Sequence, residues 1–180
     1  QTAVTGVVSN GSGAASFTSA ALTAANNGQT LQITGLTVTT PATGCTAAFT
    51  QDVTMAVNPS PQGSLTANGP FCATGAGQLT WTATAGTGSY TVVYNDGTSN
   101  RTANTVTSGT PFATFTTPVT STTTYTLVSV TDANTCVRSS GFTGGSSTIT
   151  VNPLPTLTGA SQAATVCDGT GATINLTGLL

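Results

Sequence analysis

Few residues in this chain can do chemistry. Four cysteines (Cys45, Cys72, Cys136, Cys167) stand with four aspartates (Asp52, Asp96, Asp132, Asp168) and two arginines (Arg101, Arg138), and there is no His, Lys or Glu. Without those three types, no nucleophile–base pair of the usual kinds can be assembled around the many Ser and Thr hydroxyls. A paired-aspartate mechanism needs two carboxylates in one cleft, yet all four lie in or beside loops. The sequence therefore points away from an enzyme and calls for no cofactor. Zinc takes Cys and His ligands, commonly at C-x-x-C spacing, and neither a His nor such a pair is present. Asp132 with Asn134, or Asn95 with Asp96, offers loop oxygens to calcium, which wants six or more. Turn formation alone explains them. No metal site is expected.

The composition that must position these groups is unusual. Threonine supplies roughly a quarter of the chain, and the charged residues amount to 3% with a net charge of -2. Low net charge with abundant Thr and Val favours a pleated, half-buried surface over disorder. Two arginines cannot neutralise a nucleic-acid backbone or form a basic patch for an anionic membrane. No apolar run is long enough to span a bilayer. A surface this poor in charge suits a secreted polymer, or a chain whose flanks are covered by neighbours or sugar, better than a cytosolic protein. Gln1 fits a chain that follows a cleaved leader or begins within a longer protein.

One short stretch occurs twice and organises the rest. Val57-Asn58-Pro59-Ser60-Pro61 recurs as Val151-Asn152-Pro153-Leu154-Pro155, about 94 residues later. Each copy follows an alternating segment and precedes a cysteine, Cys72 and then Cys167. Proline lacks a backbone donor, so a P-x-P pair ends sheet pairing and leaves a stiff, extended connector. These stretches read as joints.

Between the joints, residues 59–152 read as a complete unit. Alternation predicts strands at 64–67, 78–83, 90–94, 112–116, 125–130 and 147–151, with Leu79, Trp81 and Ala83 on one face and Tyr90, Val92 and Tyr94 on another. Asn95-Asp96-Gly97 is a hairpin turn, and Asp132 to Cys136 turns a second corner. Trp81, Tyr90, Tyr94 and Tyr125 are candidates for a sugar-stacking platform, but their alternation with small polar residues places them in the core. Asn10, Asn100 and Asn175 head N-x-S/T triplets, a pattern that chance supplies in a Thr-rich chain.

Outside the joints lie two incomplete units. Residues 1–58 hold strands at 3–8, more weakly at 14–22, and at 30–38 and 51–57, which is the back of a domain. Residues 153–180 hold the front of the next, with 156–158 matching the first strand and 172–177 the Trp81 strand. The expected class is all-β: tandem Ig-like β-sandwiches, one complete repeat flanked by two partial ones. An open sheet exposes edges and an apolar face, so both partial units should be completed by neighbouring copies head to tail, or by the rest of a longer chain.

The stretch Tyr125-Thr126-Leu127-Val128-Ser129-Val130-Thr131-Asp132-Ala133-Asn134-Thr135-Cys136, followed by residues 147–155, resembles the tandem Ig-like repeats of Bacteroidetes surface proteins. Residues 174–179 and 22–35 share the resemblance, which covers nearly the whole chain. Such repeats occur in very long proteins exported by the type IX route, including gliding-motility adhesins of the SprB type. The resemblance implies an extracellular or cell-surface role and brings no catalytic residues.

In an exported chain, cysteines locked to a repeat read as disulfide-bonded. Two schemes stay open. Cys72 could pair with Cys136 inside one repeat, closing a loop worth roughly 4 kcal/mol. In a seven-strand sandwich, however, those loops lie at opposite ends, so each could instead bridge a joint to the neighbouring repeat. Lacking lysine, the chain cannot form Lys–Asn isopeptide crosslinks. The expected function is a structural unit of an extracellular filament or stalk. The alternative is an adhesin segment whose loops or sheet faces grip glycan or another surface.

Overall fold

The computed structural model describes residues 7–10, 12–37, 46–115 and 117–178. The chain forms two compact units, residues 1–59 and 60–180. The protein is all-β, and its only helical element among the described residues is a 3-10 turn at Ala24–Asn26.

The first unit is a hairpin. Strands β1 (Thr30–Thr37) and β2 (Thr46–Thr54) pair antiparallel, with an irregularity between Ile33 and Gly35. Asn27 ties down the end of this ladder, its Oδ1 accepting from Val57 N at 2.9 Å. Asp52 lies within β2, where Gln32 Nε2 donates to its Oδ1 at 3.1 Å. The expected weak strand over 14–22 is not formed. Its Ala-, Ser- and Thr-rich alternation supplies little side chain to bury, so nothing repays the cost of extending it. Of the expected strand at 3–8, residues 3–6 lie outside the described residues, and Val7 and Val8 are exposed coil.

The second unit contains a β-sandwich. One sheet joins β3 (Gln62–Ala67), β5 (Gln78–Ala85) and β8 (Pro111–Thr114) in that order. The other runs β7 (Asn100–Val106), β6 (Tyr90–Asn95), β9 (Thr123–Thr131), with β10 (Val137–Arg138) and β11 (Ser146–Ile149) sharing the far side of β9. All of these pairings are antiparallel. A separate parallel pair clips the end of the unit: β4 (Phe71–Cys72) lies against β12 (Val151–Asn152). After it come β13 (Gly159–Gln162) and β14 (Ile174–Thr177), an antiparallel hairpin.

The core lies between the two sheets. Leu79, Trp81, Val92, Val130 and Ile149 have no solvent exposure, and Leu65, Tyr90, Tyr94, Tyr125 and Leu127 are nearly sealed. Burying one such aliphatic side chain contributes about 1.5–3 kcal/mol. The Trp81 ring meets Tyr90 and Phe142 edge-on, at centroid distances of 6.1 and 6.0 Å. Trp81, Tyr90, Tyr94 and Tyr125 are thus core residues, not an exposed platform. Asp132 is the buried polar hub. Thr87 N donates to its Oδ2 at 3.0 Å, and the amides of Asn134 and Cys136 donate to its Oδ1 at 2.9 Å each.

Candidate functional site

The joints are built differently on their two sides. Pro61 is fully buried, and Arg138 donates through Nε to its carbonyl. Gly86, at φ +93°, lets the chain pass close to it, since a Cβ there would sit 2.8 Å from Pro61 Cα. The second proline of the P-x-P pair is therefore a seated residue of the sandwich, not part of a free spacer. Its counterpart Pro155 is exposed. At the far end, Val151 N donates to Thr122 Oγ1 at 3.0 Å, and the same hydroxyl faces Val151 O at 3.3 Å. Ala73 N donates to Asn152 O at 2.8 Å, so sheet pairing persists up to the residue before Pro153. Asn58 and Pro59 are exposed, as are Asn152 and Pro153.

The two outlying hairpins repeat the pairing of the sandwich residue for residue. In β3–β5, Leu65 faces Trp81 and Ala67 faces Leu79. In β13–β14, Ala160 faces Leu176 and Gln162 faces Ile174. Each pair is the sandwich pair moved about 95 positions along the chain, the spacing between Cys72 and Cys167. The expected match of 156–158 to the first strand is thus replaced by 159–162. Likewise Thr30 opposite Thr54 and Leu31 opposite Val53 correspond to Thr124 opposite Thr148 and Tyr125 opposite Ser147, about 94 positions on. That is the spacing between Val57 and Val151.

What differs is burial. Ile174 and Leu176 are 57% and 52% exposed, whereas Leu79 and Trp81 are sealed. Leu31, Ile33 and Met55 are half-buried, where Tyr125, Leu127 and Ile149 belong to the core. Val53, on the same face, is 53% exposed. Among the described residues, both hairpins present a core face without the opposing sheet that covers it in the sandwich.

The cysteines are set apart. Cys72 is exposed in β4, beside Asn152 and the start of β9, while Cys136 follows the end of β9 in the Asp132 turn. Nine residues of β9 separate these poles by about 30 Å. A disulfide bridges Cα atoms no more than about 7 Å apart, so the Cys72–Cys136 pairing within one repeat cannot form. Cys167 is exposed in the β13–β14 loop, no disulfide joins any of the three described cysteines, and Cys45 lies outside the described residues.

A shallow cleft of about 400 Å³ opens on the sandwich beside the β6–β7 turn, lined by Tyr94, Asp96, Thr98, Arg101, Phe115, Thr123 and Tyr125. Phe115 stacks on Tyr125 at 5.3 Å and 24°, and Tyr94 lies 6.3 Å from Tyr125. Gly97, at φ +91°, makes the turn, and Asp96 fastens it. Asp96 Oδ1 accepts from Ser99 N, Thr98 Oγ1 and Thr98 N at 2.8, 2.7 and 3.0 Å, and Oδ2 accepts from Arg101 Nε at 2.8 Å. These bonds, the Ser99 amide foremost, hold the Asp96 carboxyl well below the usual carboxylate range. The bond to Asp96 raises Arg101 in turn, and burial pushes both Tyr94 and Tyr125 up. At neutral pH the cleft therefore offers two neutral phenols beside a compensated ion pair.

Sequence reasoning singled out Asp96, Tyr94 and Tyr125 for other roles and did not connect them with Arg101 or Phe115. The available signal was Arg101 itself, one of two cations, placed just past the Asn95-Asp96-Gly97 turn. No protein-family model, curated protein or solved structure matches the chain.

Proposed function

We propose that this chain is a structural repeat unit of an extracellular filament or surface stalk. In this reading it consists of Ig-like sandwiches joined through the V-N-P-x-P stretches, with the outlying hairpins completed by neighbouring copies head to tail or by flanking repeats of a longer chain. One observation carries it. Both hairpins keep the strand register of the complete sandwich, while positions that the sandwich buries are exposed in β13–β14 and only half-buried in β1–β2. An isolated two-stranded hairpin is marginal in water, and half-exposed Ile and Leu side chains gain about 1 kcal/mol each when covered. The strand order of the two sheets, three strands against five with a parallel clip of β4 against β12, supports the Ig-like assignment. The scarcity of charge means little desolvation cost where units pack.

Electron microscopy of the native material together with sedimentation of the purified chain tests this. Regular fibres with the sandwich repeating along the axis, and association that rises with protein concentration, are the expected results. A chain that stays monomeric, with both hairpins already protected from hydrogen exchange, would sink it. A second reading, an adhesin segment that binds glycans or surfaces, is favoured by the cleft beside Arg101.

A further inference from the structure

We infer that the cleft beside the β6–β7 turn is a binding site for a neutral saccharide, one sugar ring or two. The inference does not depend on filament assembly, because every lining residue belongs to the complete sandwich. Tyr94 and Tyr125 are only 6% and 4% exposed, and both line the cleft. Among the described residues the buried side-chain polar atom left without a partner is Trp81 Nε1, not either phenol. The two hydroxyls are therefore not sealed off and can bond a ligand that enters the cleft.

The rest of the lining fits the chemistry of a sugar. A pyranose has a face of C–H groups, which lies well on an aromatic ring, and a rim of hydroxyls that both donate and accept. Half-buried Phe115, stacked on Tyr125, supplies the ring. Phenol hydroxyls answer either polarity. Arg101 spends its Nε on Asp96 and keeps its Nη donors, and its side chain is 58% exposed. Asp96 Oδ2 accepts from Arg101 Nε and has a lone pair left for a sugar hydroxyl. Arg101 and Asp96 cancel, so the site has no net charge to reward an acidic ligand. A uronic acid would bring its carboxylate against Asp96. The volume of about 400 Å³ lies at the small end for ligand sites and suits a short saccharide rather than a long chain.

The test is an NMR titration of the full 180-residue chain. The probes are methyl glycosides of neutral hexoses and N-acetylhexosamines, the corresponding disaccharides, and glucuronate as the charged control. Expected are saturable shifts of the amides of Tyr94, Asp96–Arg101 and Tyr125 with at least one neutral sugar. Arg101→Ala and Phe115→Ala should each weaken binding at least about ten-fold, while the distant surface variant Val137→Ala leaves it unchanged. The dispersed core resonances of each variant report separately that it is folded. Absence of a saturable shift with every neutral probe would overturn the assignment. So would shifts that survive both variants, or binding of glucuronate alone.

Discussion

Leu176 holds in β14 the position that Trp81 holds in β5, each opposite the corresponding residue of its partner strand, Ala160 and Leu65. Trp81 is sealed and Leu176 is half exposed. The same pairing thus occurs once with its covering sheet and once without it. Replacing Leu176 or Ile174 with Asp should leave the melting of the central sandwich unchanged and abolish end-to-end association. Calorimetry and sedimentation measured on the same samples separate the two effects, and loss of the sandwich transition would show that the hairpin and the sandwich are not independent.

Hydrogen exchange should grade the chain in the same way. In dilute monomer, amides of β1, β2, β13 and β14 are expected to exchange orders of magnitude faster than those of β6 and β9, because short hairpins open locally at low cost. In assembled material the difference should shrink. Equal protection of hairpins and sandwich in the monomer would show that the exposed faces need no partner.

Asp132 joins three backbone amides from two loops to one buried carboxylate. Bonds to charged groups contribute more than neutral ones, and removing the acceptor strands the amides. Asp132→Ala should cost about 3 kcal/mol in chemical denaturation. A loss below about 1 kcal/mol would mean that water replaces the carboxylate.

Acid should act on the β6–β7 turn in a definite direction. The Asp96 carboxyl is held below its ordinary value in the folded chain. Its stabilising contribution is therefore complete above the unfolded value, about pH 4, and is lost as pH falls further toward the folded value. The amides of Thr98 and Ser99 should keep their chemical shifts on acidification to about pH 4 and move only below it. Movement between about pH 4 and 6 would refute the bonding described for this turn.

Oxidation of the purified chain followed by non-reducing peptide mass spectrometry should give no Cys72–Cys136 peptide within one molecule. The length of β9 forbids it. Its detection in monomer would require the sandwich to be opened.

Much of the central unit was legible because its strands obey the period-2 rule with bulky residues. Tyr90, Val92 and Tyr94 are all buried, as expected, and β9 is the long strand that residues 125–130 announce. β7 was not foreseen. Asn100-Arg101-Thr102-Ala103-Asn104-Thr105-Val106 buries only Val106, as an edge strand can, and carries Thr105 at φ +55° in an irregular stretch opposite Thr91. The clip of β4 against β12 was hidden for a different reason: parallel pairing of two dipeptides far apart in sequence leaves no local pattern. The cleft was illegible as a unit because β6, β7 and β9 contribute one or two residues each, and only the pairing of the strands brings them together.

The seat of Pro61 and the β4–β12 clip have a mechanical consequence. Force applied through the two joints enters at the start of β3 and leaves at the end of β12, past opposite ends of β9. Because β4 runs parallel to β12, and Ser64 bridges Gly144 in the same parallel sense, tension shears these contacts rather than peeling them. Their hydrogen bonds are loaded together, so the unit should resist pulling along the chain better than its modest number of terminal bonds suggests.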